Sequence, residues 1–187
     1  MFYIQTQRLR LIPLDLPHLL LLKENRAAME RSLGLEVSAM AVDPFIQKEI
    51  AEALEGWITN VTNHPREYRW YTCWEIVLRK ENKSVGGIGF TNLPDEHGES
   101  TIGYSIDKFY QRRGLASEAV TGLLGWAFQY SGLKRVLAET AKDNFASQRV
   151  LIKNGFLKCE INPETFLWEK EPEWIYKKNK QLSKAAV

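Results

Sequence analysis

Long apolar runs are missing from these 187 residues: the longest near the start, residues 19–22, is far too short to span a bilayer, and no charged leader with a cleavage site precedes it. The expectation is a cytoplasmic protein with no membrane partner. Cysteine is scarce too. Cys73 and Cys159 stand far apart, which excludes a disulfide framework or a close-paired zinc motif, and both read as buried thiols. His18, His64 and His97 are equally scattered, so no metal is expected. A large charge of one sign is also lacking: the net charge of +2 gives no argument for nucleic acid. Lys177, Lys178, Lys180 and Lys184 crowd the C-terminus and read as a solvated tail. There is no internal repeat or low-complexity tract. The length and the 44% hydrophobic content fit one domain, residues 1–178, followed by a basic tail, residues 179–187.

The most informative segment runs from Tyr110 to Ala119, with the sequence Tyr-Gln-Arg-Arg-Gly-Leu-Ala-Ser-Glu-Ala. It joins the end of a predicted strand to a helix whose stripe is Ala116, Ala119, Val120, Leu123, Leu124, Ala127 and Phe128. The first N–H groups of a helix have no partner within it and carry the positive end of the dipole, so such a junction binds phosphate. Gly114 lets the backbone approach a ligand, Ala116 keeps the turn small, and Arg112 and Arg113 add charge. The alternative is a polar turn before a core helix.

Around this loop, residues 8–13 read as a strand, with Asp15 capping a helix that begins near Leu16. A second helix starts at Asp43-Pro44, with Ile46, Ile50, Leu54, Trp57, Ile58 and Val61 on one stripe, and residues 32–40 show little periodicity. Three antiparallel strands follow at 70–79, 85–92 and 100–106, with turns at 81–83 and 94–98. A strand at 134–140 lies after the phosphate-loop helix, so a right-handed crossover places it parallel to 100–106. A helix at 145–153 stops at Asn154-Gly155, with strands expected near 156–161 and 174–178.

The spacing Gln111-x-x-Gly114-x-Ala116 resembles the acetyl-CoA pyrophosphate loop of the GNAT N-acetyltransferases. Residues 6–11 resemble that family's opening strand, residues 102–106 the strand before the loop, and residues 144–156 its last helix. The features suit the RimJ/RimL-like branch, and the resemblance runs from about residue 6 to 176. It implies an α/β fold, a mixed and mostly antiparallel sheet flanked by helices with a splayed parallel strand pair. Acetyl-CoA is then the acyl-donor cosubstrate. Its pyrophosphate would rest on Gln111, Arg112, Arg113, Gly114, Leu115, Ala116 and Ser117, and its pantetheine arm would meet the backbone of Tyr104, Ser105 and Ile106 like an added strand. Tyr104 and Ile106 are expected to pack by their side chains while their backbone binds.

The resemblance also maps Asn144 to the pantetheine arm and Ser147 to a hydroxyl near the thioester sulfur; read from the residues alone, Asn144 is equally a helix cap and Ser147 a first-turn residue. Two departures stand out. Leu151 occupies the place of the tyrosine that serves many relatives as general acid, and Thr101 that of a glutamate that acts as general base. Glu99, one alternation away, is the candidate substitute through water, and Glu75 the second. The function expected is acetyl transfer to a primary amine in a direct ternary complex, because no cysteine or serine sits in a nucleophile motif. The acceptor the resemblance implies is a protein N-terminal α-amine, such as that of a ribosomal protein, with a small-molecule amine or antibiotic as the alternative. The competitor is a noncatalytic acyl-CoA-binding module, and monomer and homodimer stay open. Trp57, Trp70, Tyr71 and Trp74 are candidates for lining the acceptor side.

Overall fold

The computed structural model describes residues 1–173 apart from Asp43. Strands β1 (Ile4–Gln5), β2 (Leu9–Pro13), β3 (Cys73–Leu78), β4 (Lys83–Phe90), β5 (Glu99–Ile106), β6 (Arg135–Ala141), β7 (Leu157–Ile161) and β8 (Thr165–Lys170) form one sheet in the order β1-β2-β3-β4-β5-β6-β8-β7. Every neighbouring pair is antiparallel except β5 and β6. Those two are joined through helix α4 (Leu115–Ala127), the long crossover that a parallel pair requires. The remaining helices are α1 (Leu16–Glu24), α2 (Arg26–Ser32), α3 (Pro44–Asn63) and α5 (Phe145–Lys153).

Alternation along the strands builds two faces. Leu9, Leu11, Trp74, Ile76, Ile88, Phe90, Ile102, Val136, Ala138 and Trp168 turn to one side, where they meet Leu115, Ala119, Val120, Leu123 and Ala127 of α4 and Leu151 of α5. Helix α4 crosses close over β1 and β2 because Gly122 has no side chain: a Cβ there would come within 2.8 Å of Thr6 Cγ2. On the opposite face Ile12 and Val77 bury Leu35, and α1, α2 and α3 close over Leu14, Leu19, Met29 and Val61. Asp15 caps α1 by accepting from the His18 amide at 3.2 Å.

Pairing between β5 and β6 covers only Glu99↔Arg135, Ser100↔Val136 and Thr101↔Leu137. Beyond that point the strands separate, although each continues for several residues, to Ile106 and Ala141. The fold therefore contains the splayed parallel pair expected from the family resemblance.

The strand expected over 70–79 begins only at Cys73, since Tyr68–Trp70 form a 3-10 turn that drives the Trp70 ring into the core. Trp74 is fully buried, Trp57 packs against the α1–α3 cluster, and Tyr71 stacks on His64 with centroids 4.6 Å apart. These aromatics are packing residues, and the structure does not present them as an acceptor wall. Cys159, expected to be buried, is exposed on the edge strand β7. Strand β8 escaped sequence reading because Phe166, Leu167 and Trp168 form a continuous apolar run without alternation. Helix α2 was missed because it is short and has no apolar stripe. The strand predicted at 174–178, Asp43 at the expected start of the second helix, and the tail at 179–187 lie outside the described residues.

Candidate active site

The loop between β5 and α4 is set by its backbone. Arg112 has φ 60° and Gly114 φ 75°, both in the left-handed region, so the chain doubles back before the helix begins. A non-glycine residue held at positive φ is uncommon and marks a constrained turn. Gly114 is the N-cap of α4 and gives no side-chain cap, so the first N–H groups of the helix face outward without a side-chain acceptor. Gln111 Nε2 donates to the Ile106 carbonyl at 3.1 Å, fastening the loop to the end of β5.

Beneath the loop lies a clamp of residues distant in sequence. Glu118, in the first turn of α4, accepts from Thr6 Oγ1 at 2.6 Å, from the Arg8 amide at 2.7 Å and from Arg8 Nε at 2.6 Å. Arg8 Nη1 also donates to the Arg113 carbonyl at 2.9 Å. Burial works against the Glu118 charge, but the hydrogen bonds from Thr6 and Arg8 together with the Arg8 charge outweigh it and hold the carboxyl below its ordinary value. The side chain expected to reach a pyrophosphate from Arg113 is turned away: its guanidinium sits 4.9 Å from the Tyr110 ring centroid and donates to the Phe109 carbonyl at 2.8 Å. Arg112 is exposed and remains the free cation of the loop among the described residues. Ser117 faces inward and accepts from Asn154 Nδ2 at 3.0 Å, while Leu115 is core and Ala116 half-buried.

Along β5 the backbone alternates in direction. Thr91 N donates to the Thr101 carbonyl and Asp107 N to the Val85 carbonyl, so Thr101, Gly103, Ser105 and Asp107 direct their polar groups to β4. Ile102, Tyr104 and Ile106 direct theirs to the other side, into the gap left by β6. Tyr104 and the Ile106 amide thus offer free backbone groups there, the Ile106 carbonyl being taken by Gln111, whereas those of Ser105 are consumed by the ladder with Gly87. An extended pantetheine arm matches such a half-paired edge.

On the helix-covered side of that gap stand Tyr104 and Ser147, whose hydroxyls are 2.8 Å apart. Sequence reading gave the Tyr104 side chain only a packing role and missed this pair; period-2 alternation puts Tyr104 on the α5 side, but the reach across the splay is a tertiary distance. Burial pushes the Tyr104 phenol up to about 12, so it keeps its proton at neutral pH. Asn144 is the N-cap of α5 and accepts from the Ser147 amide at 3.0 Å, which fixes the first turn that presents Ser147.

The two carboxylates considered as bases are both occupied. Glu99 lies at the opposite end of β5 from the loop, where it pairs with Arg135 through Nε at 3.1 Å and through Nη2; Arg135 Nη1 also bonds Glu169 at 2.6 Å. Glu75 is buried against Arg26 Nη2 at 2.5 Å and accepts from Ser84 Oγ. Arg26 further donates to the buried Glu30 at 3.1 Å, and Glu30 accepts from the Ser38 amide at 2.8 Å. Neither Glu99 nor Glu75 is poised to collect a proton at the gap. Cys73 is no nucleophile either, since burial and the neighbouring Glu75 push its thiol up to about 12.

A family model described as an acetyltransferase (GNAT) domain matches residues 8–157. This chain belongs to the GNAT acetyltransferase family. As a GNAT protein it is an acetyl-CoA-dependent N-acetyltransferase, not a bare acyl-CoA-binding module. It is 29% identical over 168 residues to YjdG, an uncharacterized N-acetyltransferase of Bacillus subtilis, covering 90% of this chain and 97% of that one. It is also 29% identical to the ribosomal-protein-serine acetyltransferase of Escherichia coli, over 115 residues and 60% of each chain. Among solved structures, a putative ribosomal-protein-serine acetyltransferase from Vibrio cholerae superimposes with a TM-score of 0.62 at 21% identity, covering 91% of this chain and 98% of that one. The ribosomal L7/L12 α-N-protein acetyltransferase RimL, solved in complex with coenzyme A, gives 0.62 at 20% identity, with coverage of 91% and 98%. At these identities the structural likeness speaks for the GNAT fold. Among the described residues no cluster of metal-ligating side chains is present, and no helix is long and apolar enough to cross a membrane.

Proposed function

We propose that this GNAT enzyme transfers the acetyl group of acetyl-CoA directly to the α-amine of a protein N-terminus. The observation that carries the donor site is the coincidence of three features: the uncapped start of α4, the free backbone groups of Tyr104 with the Ile106 amide, and the Tyr104–Ser147 hydroxyl pair. The pyrophosphate rests on the amides of Gly114, Leu115, Ala116 and Ser117, helped by the Arg112 charge and by a loop that Gln111 and Arg113 hold in shape. The pantetheine arm follows β5 past Ile106 towards Tyr104, with Asn144 and Ser147 at its far end.

Three chemical needs then have owners. The Tyr104 amide, aimed into the gap, polarises the thioester carbonyl. Ser147 protonates the departing thiolate, and Tyr104, which retains its own proton, returns one to Ser147 through their hydrogen bond. The resulting Tyr104 anion recovers its proton from solvent. The attacking amine loses its proton to water, because Glu99 and Glu75 are engaged elsewhere. Direct attack is supported by the lack of an activated nucleophile: Cys73 is held as a thiol and Cys159 is exposed on a distant edge.

Support for an N-terminal acceptor comes from the relatives, among which the Escherichia coli protein is described as acting on a ribosomal-protein serine. The test is a matched peptide pair, one with a free N-terminal serine and one with that nitrogen already acetylated, both carrying an internal lysine. The proposal expects thiol release and mass gain with the free peptide only. Equal modification of the blocked peptide would move the acceptor to a side-chain amine.

A further inference from the structure

From its place beside the splay, we infer that Glu139 is the acceptor-side carboxylate of this enzyme and receives the incoming amine in its charged form. The inference deepens the donor-site reading above and rests on it. Glu139 lies on β6 two residues beyond Leu137, the last residue paired to β5. Gly103 lies two residues beyond Leu137's partner, Thr101, on β5, so the two stand at the same level on either side of the gap.

They also share a face. Val136, Ala138 and Thr140 are buried towards α4 and α5, which leaves Arg135, Leu137 and Glu139 on the opposite side. Arg135 demonstrates that this is the face of Glu99 on β5, because it binds that carboxylate. Gly103 follows Glu99 by two alternations and is exposed, and a Cβ built on it would meet nothing within 4 Å. From the helix-covered side, α4, α5 and the Tyr104–Ser147 bridge obstruct approach to a thioester in the gap. An acceptor must therefore come in over Gly103, past Glu139.

Charge distinguishes Glu139 from its neighbours. Glu99 and Glu169 share Arg135 as an ion-pair partner, Glu118 has Arg8, and Glu75 and Glu30 share Arg26. Glu139 is exposed and has no side-chain hydrogen bond or ion pair among the described residues. The next cation along the strand, Lys142, lies over the Phe166 ring at 5.7 Å and leaves this carboxylate uncompensated. An unpaired anion at the mouth favours an ammonium group over a neutral or anionic one. Such a group is set to hold the amine before it gives up its proton and attacks.

The test needs no knowledge of the natural acceptor. S-(2-aminoethyl)-CoA carries an ammonium two carbons from sulfur, within reach of the place an amine takes as it approaches the carbon attached to sulfur, and S-propyl-CoA is its neutral isostere. By calorimetry the wild type should prefer the aminoethyl compound by about fivefold, the upper end for a partly exposed ion pair. Glu139→Gln should abolish the preference while binding S-propyl-CoA as the wild type does. Equal binding of the two compounds by the wild type, or a preference that survives in Glu139→Gln, would overturn the inference. If S-propyl-CoA itself fails to bind the wild type, the donor site falls, and the inference falls with it.

Discussion

The hydroxyl of Tyr104 lies 2.8 Å from Oγ of Ser147, joining β5 to the first turn of α5 across the gap where β5 and β6 diverge. Leu151 is fully buried in the core and offers no proton, so the proposed donor comes from a strand and a helix start instead of from mid-helix. Ser147→Ala should lower kcat by about 10²-fold or more, within the range of general acid catalysis, with CoA affinity nearly unchanged. Tyr104→Phe should lower kcat by about tenfold with the same split. A Ser147→Ala loss below about fivefold in peptide acetylation kinetics would pass the acid role to water.

The proposed binding at the α4 start depends on backbone amides. With CoA at about a hundred times its dissociation constant, linkage gives roughly 2.7 kcal/mol, a melting shift of about 5–10 °C for a domain of this size. Gly114→Val should erase the shift, because its φ of 75° is strained for a branched residue and the turn that aims the first α4 amides cannot be kept. Arg112→Ala should weaken CoA in a salt-sensitive way. Arg113→Ala should act with little salt dependence, since that guanidinium is spent on Tyr110 and Phe109. A full CoA shift in a folded Gly114→Val protein would contradict the loop's role.

The clamp under the loop sets a pH dependence. Glu118 is held below its ordinary value of 4.5, so its contribution to stability is complete above that value. It is lost as pH falls through the lower, folded value. Urea denaturation from pH 6 to pH 3 should show a steeper decline for the wild type than for Glu118→Gln, which should be less stable at pH 6 by about 1–3 kcal/mol. Parallel pH curves for the two proteins would show that the ion pair with Arg8 adds nothing.

Arg26 pairs with two buried carboxylates, Glu30 and Glu75, and through Glu30 holds Ser38 in the segment after α2. Arg26→Met should destabilise the fold by about 3–5 kcal/mol by leaving those charges unpaired. Arg26→Met combined with Glu30→Gln and Glu75→Gln should recover part of the loss. Equal denaturation midpoints for the wild type and Arg26→Met would mean that the network is not holding charge.

Much of the fold was legible because its cues are local. Alternation marked β2 and β5, the Gly-x-Ala turn marked the start of α4, and Asn144 with Gly155 bounded α5. The run at 166–168 lacked a period and hid β8, and Trp70 looked like strand because aromatic content outweighed a 3-10 turn. The site was legible only as far as backbone pattern carries. Tyr104 with Ser147 and Arg8 with Glu118 meet across 43 and 110 residues of chain, so no local signal joined them. Glu99 looked available until Arg135 was seen to hold it. Ser105 fits the same pattern: a strand's sequence does not say which of its residues turn their amides to a neighbour.

The most direct measurement is a titration of the ¹⁵N-labelled protein with CoA, read at assigned backbone amides. The largest shifts should fall on Leu115, Ala116 and Ser117 at the start of α4 and on Tyr104 and Ile106 of β5, while Ser105, facing β4, shifts least in that strand. Shifts that pass over the α4 start, or that are as large at Ser105 as at Tyr104 and Ile106, would contradict a CoA site running from the loop into the splay.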